Sequence, residues 1–210
     1  MKLPRPTLIV FCGWPGSGKT STAELVQKVL NEEITDPLEP KIHLADIDLV
    51  RRTSLGLPYP HPNESRELQV KDGREMGGAY KLLLHTAEWH LGEMRPLIIC
   101  ATFSSRVGQR NLLDLYNRHF EERMKAEAIP CALRIVKCAP SDDSPERVEA
   151  LFKGRNFGEG GYVGGVNSPE RYFEVKGRYH PILLPHMTLT TWPDRPPREC
   201  AEEALRYILS

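Results

Sequence analysis

Eight consecutive residues carry the most specific chemistry in the chain: Gly13-Trp14-Pro15-Gly16-Ser17-Gly18-Lys19-Thr20. Their spacing is G-x-x-x-x-G-K-[ST], and the chemistry of a polyphosphate explains each residue type in it. Glycines let successive backbone N–H groups turn inward around a phosphate with no side chain in the way. A helix starting at Gly18 adds the positive end of its dipole. Lys19 brings a compact cation to the β- and γ-phosphates, and Thr20 offers a hydroxyl to Mg²⁺. Gly13, Pro15, Gly16, Ser17, Gly18, Lys19, Thr20 and Ser21 are therefore the expected nucleotide-binding residues, with ATP and Mg²⁺ as the expected ligands. Pro15 fixes one φ angle and stiffens the loop. Trp14 is bulky for its place and is expected to pack against the nucleotide or a flap.

Such a loop works only between a strand and a helix, and the flanking sequence provides both. Thr7 to Cys12 is a short apolar run rich in β-formers, which predicts a buried strand. From Lys19 to Asn31 the apolar residues Ala23, Val26 and Leu30 fall at helical spacing. A second strand is predicted within 41–49, ending near Asp46 or Asp48, and further strands over 96–103, 132–138 and 187–192. Further helices are predicted over 74–91, 107–126, 145–153 and 197–209. Residues 53–72, with Pro58, Pro60 and Pro62, read as an irregular loop. Strands alternating with helices imply βαβ units. The expected fold is α/β: a three-layer αβα arrangement with a mostly parallel sheet of about five strands. The 210 residues suit one domain spanning 1–210. Gly154 to Gly165 holds six glycines in twelve residues and is expected to form the centre of a lid over about 153–180.

The loop also resembles the Gly-x-Pro-Gly-Ser-Gly-Lys-Thr form of small P-loop kinases. That resemblance implies the P-loop NTPase fold and phosphoryl transfer, with a second metal ligand at the end of a neighbouring strand. In kinases of the polynucleotide-kinase and zeta-toxin groups, Asp-Ala-Thr-Phe follows the apolar run of the third strand. Here the run is PLIICATF, and Cys100 occupies the position of the Asp. A thiol is a poor ligand for Mg²⁺, because hard cations want oxygen. The second strand offers a replacement in Asp46-Ile47-Asp48. On an extended strand these two carboxylates lie on the same side. The pattern resembles the Asp-x-Asp of shikimate-kinase-like and gluconate-kinase-like enzymes, which implies that Asp46 serves the metal and Asp48 the acceptor hydroxyl. Asp48-Leu49-Val50-Arg51 is also similar to the Asp-x-x-Arg of zeta-toxin-like kinases, where the Asp is the catalytic base; Arg51 then belongs with the substrate. A simpler alternative is that the two acids only cap a helix beginning near Leu49.

Phosphoryl transfer spreads negative charge over the moving group, so cations should converge on it. The segment from Ala101 to Arg110 resembles the strand-three segment of the same kinases and implies Arg110, ahead of Arg106, as a substrate-binding residue. Arg147, Lys153, Arg155, Arg171 and Arg178 flank or enter the glycine-rich stretch. Arg155 is the expected catalytic arginine beside Lys19 and Asp48, and Arg147 the next cation for the nucleotide. SPERYFEVKGRYHPI is similar to the tail of the zeta-toxin-like kinases. Acceptor recognition is expected in the insert of about 52–96, which resembles nothing specific.

Bulk composition narrows the function classes. Lys plus Arg number 28 and Asp plus Glu number 28, so the net charge is zero. A dedicated nucleic-acid binder usually carries a basic surplus. The five cysteines, Cys12, Cys100, Cys131, Cys138 and Cys200, form no C-x-x-C and read as buried free thiols of a reducing compartment. No apolar run approaches the roughly 18 residues that span a membrane, so a cytoplasmic location is expected. Three functions follow in order: a Mg-ATP-dependent kinase of a small hydroxyl-bearing molecule, a polynucleotide 5′-hydroxyl kinase, and a non-catalytic ATP-binding regulatory module.

Overall fold

The computed structural model describes Leu3 and residues 6–56, 66–126, 130–154 and 166–210. Arg155, the glycine-rich centre of the expected lid and part of the expected acceptor insert lie outside the described residues. Five strands and seven helices follow one another along the chain. The strands are β1 (Thr7–Cys12), β2 (His43–Asp46), β3 (Leu97–Cys100), β4 (Ala132–Pro140) and β5 (Met187–Thr191). The helices are α1 (Lys19–Glu32), α2 (Ile47–Thr53), α3 (Arg66–Gly92), α4 (Arg106–Lys125), α5 (Pro145–Lys153), α6 (Pro169–Gly177) and α7 (Pro197–Leu209).

The strands form one sheet in the order β2-β3-β1-β4-β5. Every pairing in it is parallel. A parallel sheet covered on both faces needs strands that are apolar on both sides, and β1 meets that demand. Leu8, Val10 and Cys12 enter one core with Ala79, Leu83 and Ala87 of α3 and Leu112 and Leu115 of α4. Ile9 and Phe11 enter the other with Ala23 and Val26 of α1 and Ala204 and Ile208 of α7. The result is the expected three-layer αβα arrangement. Among the described residues, no helix is long and apolar enough to cross a membrane.

The chain leaves β1 toward β2 and β3 on one side and reaches β4 and β5 on the other. In open α/β sheets such a reversal opens a crevice beyond the carboxyl ends of the strands, where ligands bind. The loop 13–18 sits at that end of β1. The register aligns Phe11 with Cys100, and Cys100 with Asp46, so the ends of three strands present the loop, the thiol and the carboxylate in one row.

Three expectations are refined or corrected. The second strand takes the earlier of its two expected ends: it stops at Asp46, and Ile47–Thr53, Asp48 included, is helix α2. The stretch expected to be irregular from 53 to 72 contains the start of α3, which begins at Arg66. Finally, Pro169–Gly177 is a helix, α6, where the sequence suggested only a lid flank. Its Pro occupies the first turn, where a missing N–H costs nothing, and Ser168 caps it by accepting from the Arg171 N–H at 3.3 Å.

Candidate active site

The phosphate loop is shaped by its glycines and held from several sides. Gly13, Gly16 and Gly18 all have positive φ. The Trp14 carbonyl accepts from the Ser17 N–H at 3.2 Å. It also accepts from Lys19 Nζ at 3.0 Å, so the lysine folds back over the loop. From the end of β5, Thr191 donates to the Ser17 carbonyl at 2.9 Å, and Trp192 Nε1 donates to the Gly16 carbonyl. The β5 end is a support that sequence reading did not identify. A Thr-Trp pair closing a strand carries no signal until the topology sets it beside the loop.

Thr20, in the first turn of α1, donates to Asp46 Oδ2 at 2.9 Å, and its Oγ1 lies 3.5 Å from Cys100 Sγ. Asp46 thus meets the threonine expected to hold Mg²⁺. The same carboxylate also caps α2: Oδ1 accepts from the Asp48 N–H at 2.8 Å and the Leu49 N–H at 3.3 Å. The cap uses Oδ1 and the Thr20 contact uses Oδ2, so capping and a metal role, expected as alternatives for Asp46, do not exclude each other. Burial pushes the Cys100 thiol well above its ordinary range, and the Asp46 charge pushes it further. A neutral thiol offers little to Mg²⁺, whereas the Thr20 hydroxyl and Asp46 carboxylate supply the hard oxygens that the cation wants. Those two residues fit the metal; Cys100 does not.

Contrary to expectation, Asp48 and Asp46 do not share one side of a strand. Asp48 instead lies in the first turn of α2, which leaves its side chain 32% exposed. Its Oδ1 accepts from Arg51 Nη1 at 3.1 Å. Arg51, expected to touch substrate, is fully buried and pairs with Asp48. That contact orients the carboxylate. Desolvation raises the Asp48 pKa from 3.8 to about 6, with the Asp46 charge adding and Arg51 and Lys19 opposing.

Among the described residues, the other expected cations lie exposed or pair with acidic neighbours. Arg110 is exposed on α4, one residue from Gln109, which is buried. Gln109, which the sequence did not single out, ties α4 to the segments around Phe103 and Pro181. It donates to the carbonyls of Phe103 and Pro181 at 3.2 and 3.1 Å and accepts from the Leu183 N–H at 3.0 Å. Arg147 is exposed on α5 and pairs with Asp142 at 3.5 Å. Arg171 and Arg178 of and beyond α6 both pair with Glu174.

Trp14 does pack against the flank of the expected lid. It joins Val148 and Phe152 of α5 and Val166 and Tyr172 in a small separate core. Its Nε1 donates to the Tyr172 hydroxyl at 2.7 Å, and its ring meets Tyr179 edge-on at 5.7 Å between centroids.

No protein-family model matches the chain, and no curated protein does. Solved structures do match. A Chloroflexus aurantiacus protein aligns at 20% identity and TM-score 0.64, covering 96% of this chain and 94% of its own. The Mycobacterium tuberculosis APS kinase CysC, in complex with AMPPNP and APS, aligns at 19% identity and TM-score 0.58, covering 99% of both chains. A Sinorhizobium meliloti gluconokinase aligns at 13% identity and TM-score 0.52, covering 99% of this chain and 93% of its own. The strand order, the loop at its switch point and these end-to-end likenesses give one conclusion: the chain has the α/β fold of the P-loop kinases.

Proposed function

We propose that the protein is a Mg-ATP-dependent phosphotransferase that moves the γ-phosphate to a hydroxyl of a small molecule. The observation that carries this is Asp48. A module that only binds nucleotide needs the loop and the Thr20–Asp46 pair. It has no use for a second carboxylate, partly exposed beside them and pinned by a buried arginine. A raised pKa of about 6 makes Asp48 a stronger base than an ordinary aspartate while leaving it mostly ionised at neutral pH. In this reading the acceptor oxygen forms a bond to the γ-phosphorus as the bond to the β-phosphate bridge oxygen breaks. Asp48 takes the hydroxyl proton, and ADP leaves. Lys19 neutralises charge on the phosphates, and Arg155, Arg147 and Arg110 are further cations proposed from the family resemblance. Mg²⁺, when bound by Thr20 and Asp46, supplies neutralisation of the phosphate oxygens. The zero net charge and the small acceptor of the APS kinase favour a small molecule over a polynucleotide.

The test is ADP release from Mg-ATP in the presence of a panel of hydroxyl-bearing metabolites. One acceptor class should raise turnover, and Asp48→Asn should lower that turnover about 10²–10⁴-fold with ATP still bound. ATP that survives unaltered with every acceptor favours the regulatory module. A labelled oligonucleotide 5′ end favours the polynucleotide kinase.

A further inference from the structure

Lys176 lies near the end of α6, far from the loop in sequence, and was not among the cations expected at the site. The fold sets it against Trp14. Its Nζ is 5.5 Å from the centre of the Trp14 ring and forms an ion pair with Asp143 Oδ2. The Tyr172 hydroxyl donates to that same Asp143 oxygen at 3.2 Å and accepts from Trp14 Nε1. Four side chains from the loop, the segment after β4, and α6 are thus linked in one chain of contacts. Tyr172, at its centre, is fully buried.

Two ammonium groups therefore rest on one residue of the phosphate loop: Lys19 on the Trp14 carbonyl and Lys176 over the Trp14 ring. We propose that Lys176 is a second phosphate-binding cation, positioned by Trp14, Tyr172 and Asp143, which exchanges the Asp143 carboxylate for the nucleoside triphosphate when it binds. The proposal rests on the phosphotransferase reading only in needing a triphosphate in the loop.

The contacts suit such an exchange. Lys176 and Asp143 are partly exposed, at 36% and 24%, and ion pairs open to water are weak. A triphosphate offers more charge than one carboxylate, and lysine carries its ammonium on a long rotatable stem. When the lysine leaves, Asp143 keeps the Tyr172 hydroxyl, so the exchange strands no buried charge. By contrast, Arg171 and Arg178 are both paired with Glu174 on α6.

The experiment is direct titration of the full-length protein with Mg-ATP and with Mg-ADP, comparing the parent, Lys176→Gln and Lys176→Arg. A lost charge-assisted contact to phosphate should weaken Mg-ATP binding about tenfold in Lys176→Gln. Mg-ADP binding should change less, and Lys176→Arg should recover most of the ATP affinity. Equal losses for ATP and ADP, unrepaired by arginine, would mean a structural role and would overturn the proposal. So would unchanged binding in Lys176→Gln. If Lys176→Gln does not fold, Lys176→Arg and Asp143→Asn decide the matter: both should keep the preference for ATP over ADP, and its loss in both sinks the assignment. A parent protein that binds neither nucleotide would instead refute the phosphate-loop reading beneath it.

Discussion

The backbone at Gly13 runs at φ 136°, and a Cβ built there would sit 2.3 Å from the Cys138 carbonyl oxygen. That oxygen belongs to β4, which the sheet ties to β1. Gly13→Ala should therefore cost about 3 kcal/mol, combining backbone strain and overpacking of roughly 1–3 kcal/mol each. In a domain this size that lowers the melting temperature by roughly 6–12 °C. A calorimetric melt within about 2 °C of the parent would show that the loop can relax around a methyl group. At Asp48 the prediction is a titration. In the metal-free protein its carboxyl should titrate near 6 by carbon NMR, since burial and Asp46 outweigh Arg51 and Lys19. Arg51→Met removes an opposing charge, so the midpoint should rise further. The linkage has one sign: a pKa raised above 3.8 means the folded state holds the proton longer. Its contribution to stability is full below the unfolded value and is lost as pH rises through about 6. Activity that uses the carboxylate as a base moves the opposite way and falls as the group protonates. A midpoint close to 3.8 would remove the desolvation argument.

At the scale of elements, what could be read in advance follows from how local each signal is. β1, α5 and α7 match their expected bounds because apolar runs and helix-opening prolines mark them without help from distant residues. The phosphate loop was legible for the same reason. The turn after Asp46 was legible only as one of two alternatives. Leu44 to Leu49 alternates well enough for a strand, but the Asp46 carboxylate caps the next residues into α2 and ends the extension. That single cap moves Asp48 from a strand face to a helix turn. The early start of α3 was hidden by the three prolines just before it, which read as a longer loop. α6 is short, and it packs against α5 and against Trp14, which is distant in sequence. No local pattern announces such a contact. The same distance concealed Lys176: a lysine on a polar helix looks solvated until the fold brings it to the loop.

Across the whole molecule, the loop is the point where the two halves of the sheet meet. Asp46 reaches it from β2 through Thr20. The β4 backbone crowds Gly13, Thr191 and Trp192 hold its carbonyls from the end of β5, and Tyr172 holds Trp14 from α6. A ligand seated here is bound by the assembled sheet and lost when any side departs, so its binding energy should add to the stability of the fold as one unit. At a concentration 100-fold above its Kd, Mg-ATP should add about 2.7 kcal/mol. That corresponds to a rise of roughly 5–11 °C in a single cooperative transition for a chain this long. The metal assignment predicts a further pattern. Chelating Mg²⁺ should remove much of the rise in the parent protein, because Thr20 and Asp46 then lose the cation that links them to the phosphates. In Thr20→Val, which keeps the shape of the side chain and loses its oxygen, the rise with Mg-ATP should shrink toward the level seen with chelator. If the rise is equal with and without Mg²⁺, Thr20 and Asp46 serve the loop and the α2 cap alone. A melt that splits into two steps, only one of them moved by nucleotide, would show that the halves of the sheet answer to the ligand separately.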